Sequence, residues 1–366
     1  MMIRKLIVAL LLTFVCVSMQ AQAPKYSNEF LNIGVGARAL AMSNSNVANV
    51  KGVTAGYWNP AGLTNLTGQH EIALMHSEYF AGIAKYDYGS FATRIDRYSV
   101  VGFSAIRFAV DDIPNTTNLI SNNGTIDYNK ITTFSASDFA FVASYARAVV
   151  GMKNKYKVDI RYGGNVKIIR RRVGDFANAW GFGLDFGLQY DYQGWKMGAM
   201  LRDGTSTFNA WTFNLDDNMK ATFLATDNVI PENSVEITLP KLLMGVAKEI
   251  TFKEKYSLLG EIDIDATFDG KRNVLIRSKL INLDPHLGFE FGYKGFVFVR
   301  GGLGNYQTYT DAVGDKVRSF QPNVGLGLKI KDFTIDYALT DIGDQSVALF
   351  SNVFSLKFNF NNEDDD

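Results

Sequence analysis

Three histidines, one cysteine and a few short polar or glycine runs are the stretches of this 366-residue chain whose residue types suggest chemistry. His70 and His76 stand six apart, so on a strand they share a face. At about 3.3 Å per residue they are roughly 20 Å apart, too far for one metal ion, and no third ligand is apparent. These two and His286 read as strand-end residues. A serine hydrolase built on a strand needs a His–Ser pair in cross-strand register. His76 and Ser77 are adjacent, so their side chains face opposite ways. No G-x-S-x-G is present. Gly301-Gly302-Leu303-Gly304 lacks the Lys-Ser/Thr and the helix of a phosphate loop and reads as a strand end. Arg170-Arg171-Arg172 reads either as a solvated rim or as a contact for phosphate groups, which Arg forks suit. The single cysteine, Cys16, lies in an apolar leader, so the remaining chain offers no disulfide and no thiolate. The chain is expected not to be an enzyme and to carry no cofactor or metal.

Lys and Arg number 37, as do Asp and Glu, and the formal charge is zero. Nothing points to nucleic acid. Met1 to Ala21 has the form of a secretory signal, with Arg4 and Lys5 ahead of the apolar core Leu6–Val17. Val15 precedes Cys16 where a lipoprotein signal would have a small residue. No later run is long and apolar enough for a membrane helix. Aromatics at 13% and 33 glycines suit a membrane barrel with aromatic girdles.

The elements follow from alternation. Fourteen strands are predicted: 69–77, 86–94, 97–108, 138–149, 156–168, 179–191, 194–202, 239–250, 255–265, 286–293, 295–302, 320–330, 332–339 and 349–360. Most have the length of a tilted membrane strand. Trp180, Phe182, Leu184, Phe186, Leu188 and Tyr190 share one face, opposed by Gly181, Gly183, Asp185, Gly187 and Gln189. That is a lipid-facing row backed by a lumen-facing one. Links after even-numbered strands are short. Links after odd-numbered strands are long, 109–137, 203–238, 266–285 and 303–319 among them. Long outer loops and short periplasmic turns are the habit of an outer-membrane barrel. The fold class expected is all-β, a 14-stranded antiparallel transmembrane barrel closed by the first and last strands.

One stretch breaks the alternation. Phe30 to Leu63 packs Gly34, Gly36, Ala37, Ala39 and Ala41 into a short helix-like run and closes on Asn59-Pro60-Ala61-Gly62. Asn-Pro favours a turn, and small residues allow close backbone packing. FLNIGVGARALAM followed by YWNPAGL resembles the N-terminal signature of the PorV/PorQ group of outer-membrane proteins, which belong with the FadL-like transporters. The resemblance covers about a tenth of the chain and rests on Phe30, Leu31, Gly34, Gly36, Ala37, Arg38, Tyr57, Trp58, Asn59 and Pro60. It implies a hatch seated inside a 14-stranded barrel. Where the family often has an acidic pair, Lys51-Gly52 stands here. The organisation expected is a signal peptide over 1–21, a hatch over 22–68 and a barrel over 69–366. Gly34 to Gly62 is expected inside the lumen, with Arg38 and Asn59 bonded to barrel groups. Inward charges of both signs, Asp159, Arg161, Lys167, Asp185, Glu261, Asp263, Asp265, Glu290, Lys329, Asp332, Asp336 and Lys357, are expected to pair with one another or with Arg38.

The resemblance implies the outer membrane of a Gram-negative bacterium of Bacteroidota type. It implies a non-enzymatic component of the type IX secretion system that binds the translocon or the C-terminal signal domains of cargo. The alternative is a FadL-like channel for long-chain fatty acids or other hydrophobic compounds, entered from outside and left sideways through the wall. Expected partners are the type IX translocon and secreted cargo, outer-membrane lipid and lipopolysaccharide, and the barrel-assembly machinery during biogenesis. Phe208, Trp211, Phe213, Phe223 and Leu224, in the long link 203–238, are candidate outer-loop contacts. Gly36→Leu is expected to overpack the hatch and cost roughly 1–3 kcal/mol, read as a fall in heat stability.

Overall fold

A computed structural model describes residues 27–119, 125–149, 158–310, 313–341 and 350–361. The leader 1–21 and the acidic tail Glu363–Asp366 lie outside the described residues. Sixteen strand segments build one antiparallel sheet that closes on itself: β1 (His70–Tyr79), β2 (Ala84–Arg94), β3 (Ser99–Asn115), β4 (Thr132–Ala148), β5 (Val158–Val173), β6 (Ala177–Tyr192), β7 (Trp195–Arg202), β8 (Thr207–Phe213), β9 (Ser234–Thr238), β10 (Lys241–Phe252), β11 (Tyr256–Thr267), β12 (Asn282–Tyr293), β13 (Val297–Thr310), β14 (Lys316–Ile330), β15 (Phe333–Thr340) and β16 (Ser351–Phe360). The wall has 14 positions, because two are broken strands. β6 pairs with β7 along Phe186–Tyr192 and with β8 along Ala177–Phe182. β9 pairs with β8 and runs into β10, which pairs with β7. The seam is β1 on β16, from His70↔Phe360 to Glu78↔Asn352.

Alternation survives closure. Along β6, Trp180, Phe182, Phe186 and Leu188 are exposed, while Ala179, Asp185 and Gln189 are buried. The periplasmic turns are tight. At Ile95–Tyr98 the Asp96 carboxylate accepts the N–H groups of Tyr98 (2.7 Å) and Ser99 (2.9 Å). These bonds, the Tyr98 N–H foremost, hold its carboxyl below the usual carboxylate range.

The outer side departs from the expected pattern. The links after the first and fifth strands are tight turns, at Phe80–Ile83 and Gly174–Phe176, because the flanking strands run on. Phe80, Ala81 and Gly82 all take positive φ there (55°, 57° and 87°). The expected loop 203–238 is a correction of another kind. Part of it is wall: β8 and β9 form a hairpin that extends the barrel outward, tipped by a helix over Asp217–Ala225. The physical reason is main-chain pairing, since β8 finds free ladder groups on the upper half of β6.

Residues 27–66 sit inside this wall. Short turns of helix over Glu29–Asn32, Ala37–Ala41, Ala55–Trp58 and Pro60–Asn65 carry buried side chains on nearly every side. Wall glycines make the room. A Cβ on Gly163 would lie 2.7 Å from the Pro60 carbonyl carbon, and one on Gly288 would lie 2.8 Å from Met42 Cβ. At Gly198 and Gly302 a Cβ would fall on the backbone of Val47 and of Met42. Gly36 does not behave as expected. Its Cβ direction meets nothing nearer than Thr54 Cγ2 at 3.8 Å, but its φ is +83°. At Gly36 the first cost of a leucine is therefore backbone strain, since the Cβ itself has room.

Gly302→Val and Gly198→Val are expected to lower the unfolding midpoint, costing roughly 1–3 kcal/mol each. Gly260→Val is the control, because nothing lies within 4 Å of its Cβ position. Heat-modifiability on gels reads all three, and equal midpoints would mean that the hatch does not press on the wall.

Candidate functional site

The hatch is fastened by charge. Arg38, on the short helix Ala37–Ala41, reaches Glu290 of β12 (Nε to Oε2, 2.8 Å) and donates to Asn46 Oδ1 (2.8 Å). Glu290 also meets Arg300 of β13 (2.5 Å), which in turn meets Asp336 of β15 (2.6 Å). Three wall carboxylates accept hatch backbone N–H groups. Asp263 takes Asn46 and Val47 (2.7 and 2.8 Å), Glu261 takes Ala48 and Asn49 (2.8 and 3.2 Å), and Glu71 takes Val53 (2.8 Å). A hatch loop with few internal hydrogen bonds thus finds its acceptors in the wall.

Asn59 ties the second half. Its side-chain amide donates to the carbonyls of Val47 (3.1 Å), Leu188 (3.0 Å) and Ala199 (3.4 Å), and its Oδ1 accepts the Ala61 N–H (3.3 Å). Pro60 follows as the first residue of a helical turn, where a missing N–H costs nothing. Ala37 donates its N–H to Ser355 Oγ (3.1 Å), and Ala61 and Gly62 are buried. Gly34 and Gly36 both need positive φ (101° and 83°). The hatch motif residues therefore come together in the lumen, touching β6, β7, β12 and β16.

Above the hatch an outward-facing vestibule of about 720 Å³ opens. Its floor is Glu29, Phe30, Ile33 and Asn44 of the hatch. Its sides carry paired charges: Arg171 with Asp138 (2.9 Å) and Glu236 (3.2 Å), Lys241 with Asp265 (2.6 Å), and Arg272 with Asp269 (2.5 Å) and Glu29 (3.4 Å). His286, expected at a strand end, lines this vestibule instead.

The wall is irregular beside it. Between Arg202 and Thr207 the strand bulges through Asp203–Ser206, where Asp203 and Ser206 take positive φ (55° and 60°) while the Gly204 N–H still bonds the Leu184 carbonyl of β6 (2.8 Å). Asp203 is held by Lys167 (2.5 Å), which also meets Asp185 (2.7 Å); all three are buried. Phe182, Phe186, Leu201 and Phe208 are exposed around the bulge on the outer face. The N-terminal end of the hatch lies against its inner face. Arg202 donates to the carbonyls of Leu31 (3.3 Å) and Tyr57 (3.0 Å), and Asn28 bonds Asn209 (3.0 Å) and Thr238 (2.8 Å).

The five candidate outer-loop contacts separate. Phe208 faces outward on β8, 6.3 Å from Phe182. Trp211 faces inward, under the Arg171 guanidinium (5.0 Å) and donating to Glu236 (2.7 Å), with Phe213 stacked beside it at 6.1 Å. Phe223 and Leu224 ride the tip helix, where Leu224 is exposed. They form no single patch. Of the arginine run, Arg171 points inward, while Arg170 lies over Trp180 (4.9 Å) and Arg172 pairs with Asp175. Sequence reasoning placed Lys167 and Asp185 in the lumen as charges expected to pair but missed their third member, Asp203, and Arg202. Their one signal was the turn-forming run Asp203-Gly204-Thr205-Ser206, which reads equally well as the start of a loop.

No protein-family model matches the chain, and no curated protein does. Solved structures do. The CymD monoaromatic hydrocarbon channel superposes with a TM-score of 0.53 at 12% identity, over 90% of this chain and 98% of that one. The toluene transporter TodX of Pseudomonas putida gives 0.52 at 15% identity, over 89% and 98%. The chain shares the closed antiparallel barrel fold of these two proteins. These neighbours are a channel and a transporter, not enzymes.

Glu290→Gln removes the carboxylate between Arg38 and Arg300, and is expected to cost about 3–5 kcal/mol as an uncompensated buried charge. Adding Arg38→Met should recover part of that loss. A double-mutant cycle on the unfolding midpoint checks it, and strictly additive losses would show that the two groups do not act as a pair.

Proposed function

We propose that the protein is a plugged channel, in which a hydrophobic compound such as a long-chain fatty acid enters the outer vestibule and leaves sideways through the wall. The observation that carries this reading is the bulge between Arg202 and Thr207, where the regular pairing of the wall lapses and one main-chain bond, Gly204 to Leu184, remains. It adjoins the hatch end that floors the vestibule, it is ringed by Phe182, Phe186, Leu201 and Phe208 on the membrane face, and it is shut by three buried charges. The similarity in fold to a monoaromatic hydrocarbon channel and a toluene transporter supports it. In the structure the path is closed, so transport requires Asp203–Ser206 to move.

A second reading is a type IX secretion component that docks the translocon or cargo. It is favoured by the hatch phrasing over Phe30–Leu63 and by the vestibule, whose paired charges suit a rigid plug better than a tunnel for acyl chains. In that case the outer extension of β8, β9 and the tip helix is the exposed contact.

One strain set separates the two. A strain lacking the chain, complemented by wild type or by Lys167→Met, is assayed for uptake of a labelled long-chain fatty acid and for protein secretion. Lys167→Met leaves Asp185 and Asp203 facing each other and is expected to loosen the bulge and raise uptake, with heat-modifiability confirming a folded barrel. Unchanged uptake in every strain, with secretion lost when the chain is absent, overturns the channel reading in favour of secretion.

A further inference from the structure

The membrane face of the barrel carries a polar interruption that neither reading uses. His76 on β1, Asp87 on β2 and Arg107 on β3 are partners in one cross-strand row. His76 Nδ1 lies 2.7 Å from Asp87 Oδ1, and Arg107 lies 3.0 Å from Asp87 Oδ2. Their side chains are 54%, 40% and 36% exposed, all on the outer face. The row is otherwise apolar: Phe354 flanks it on β16 and Phe139 on β4. His76 is six residues beyond His70, where the strand begins. That is about 20 Å along the strand, at the outer edge of the apolar band, since the next row out on the same face holds Asn352, Glu78 and Lys85 and His76 also lies 3.8 Å from Glu78.

Just below it the wall is hollow. Gly89 and Ala105 are cross-strand partners, and the same row holds Leu74 on one side and Phe141 on the other. The hollow encloses about 670 Å³. Its lower edge is the pair Phe91↔Phe103, both exposed. Charged groups on a lipid-facing wall are costly. Small residues on a membrane face are where two backbones approach closely, and polar groups there act as glue.

The geometry points to a second copy of this chain as the occupant. A two-fold axis along the membrane normal between β2 and β3 sets Asp87 opposite Arg107 of the second copy, and Arg107 opposite its Asp87. The same axis sets Gly89 opposite Ala105 and Phe91 opposite Phe103. A two-fold contact requires a self-complementary patch, and this one is complementary in charge, in hollow and in ring. Strands tilted the same way in both copies cross at the axis, so contact is confined to the crossing point, which is where the small residues lie. The inference needs only the outer-membrane barrel and stands whichever function holds.

With Cys16 in the leader, the chain from Gln22 on has no cysteine, so Ala105→Cys introduces the only thiol. In isolated outer membranes, mild oxidation is expected to give a disulfide-linked dimer. Val324→Cys, exposed on β14 four strands away from β2 around the wall, should stay monomeric. Arg107→Asp in the Ala105→Cys background should lose the dimer, and adding Asp87→Arg should restore it. Gly89→Trp, which fills the hollow, should also lose it. Heat-modifiability confirms that each barrel is folded. The inference is overturned if Ala105→Cys links no better than Val324→Cys, if it links to a different protein, or if a lipid co-purifies with the wild type in fixed ratio and is lost with Gly89→Trp.

Discussion

A charge inside a narrow lumen has no bulk water to turn to, and that constraint organises the molecule. Glu290 and Glu71 find one wall cation each, Arg300 and Lys357, while Asp263 and Glu261 turn to the hatch for their donors. The hatch brings Arg38 and the N–H groups of residues 46–49 and 53. Each partner solves the other's problem, since the hatch backbone has little regular structure to bond to itself. The glycines of the inner wall follow from this. Carboxylate oxygens meet a backbone N–H at 2.7–2.8 Å only if the hatch lies directly against the strands, which is why Gly163, Gly198, Gly288 and Gly302 carry no side chain into the gap.

Much of the wall was legible from alternation, because a strand with lipid on one side and a packed lumen on the other has little freedom in residue choice. Where legibility failed, the causes are local. Thr207 to Phe213 carries rings on both faces, Phe208 outward and Trp211 and Phe213 inward, so no clean period appears and the segment passes for a loop. β13 runs past Gly302 to Thr310, but its register slips between Gly304 and Gln307, which hides the continuation. β3 likewise shifts register between Val110 and Ile113, with Asp112 at φ 56°. Such slips let a strand lean while keeping its ladder.

The candidate site was legible in part. The small-residue run and Asn59-Pro60 marked a segment unlike the wall, and Arg38 stood out as the only charge in the helix-like run. The other half of each contact was not visible. That Glu290 and not Asp332 meets Arg38 depends on which strands lie beside the hatch helix, and no local pattern encodes that. The same holds for His76. Read alone it is a strand-end histidine, and only the register of three strands shows Asp87 and Arg107 beside it.

The position of the hatch has a consequence for the order of assembly. Its last residues run directly into β1, and that junction is bonded to the end of β16: Thr67 meets Asn359 (2.7 Å) and Gln69 meets Asn361 (2.9 Å). The seam that closes the barrel is therefore also the hinge of its plug. A chain that zips from β1 to β16 must have residues 27–66 in place when the final edge arrives, since the wall glycines leave no clearance for them to enter afterwards. Closure is then a check on the interior. A barrel whose hatch is misplaced loses the Thr67 contact to Asn359 just where its last two edges meet.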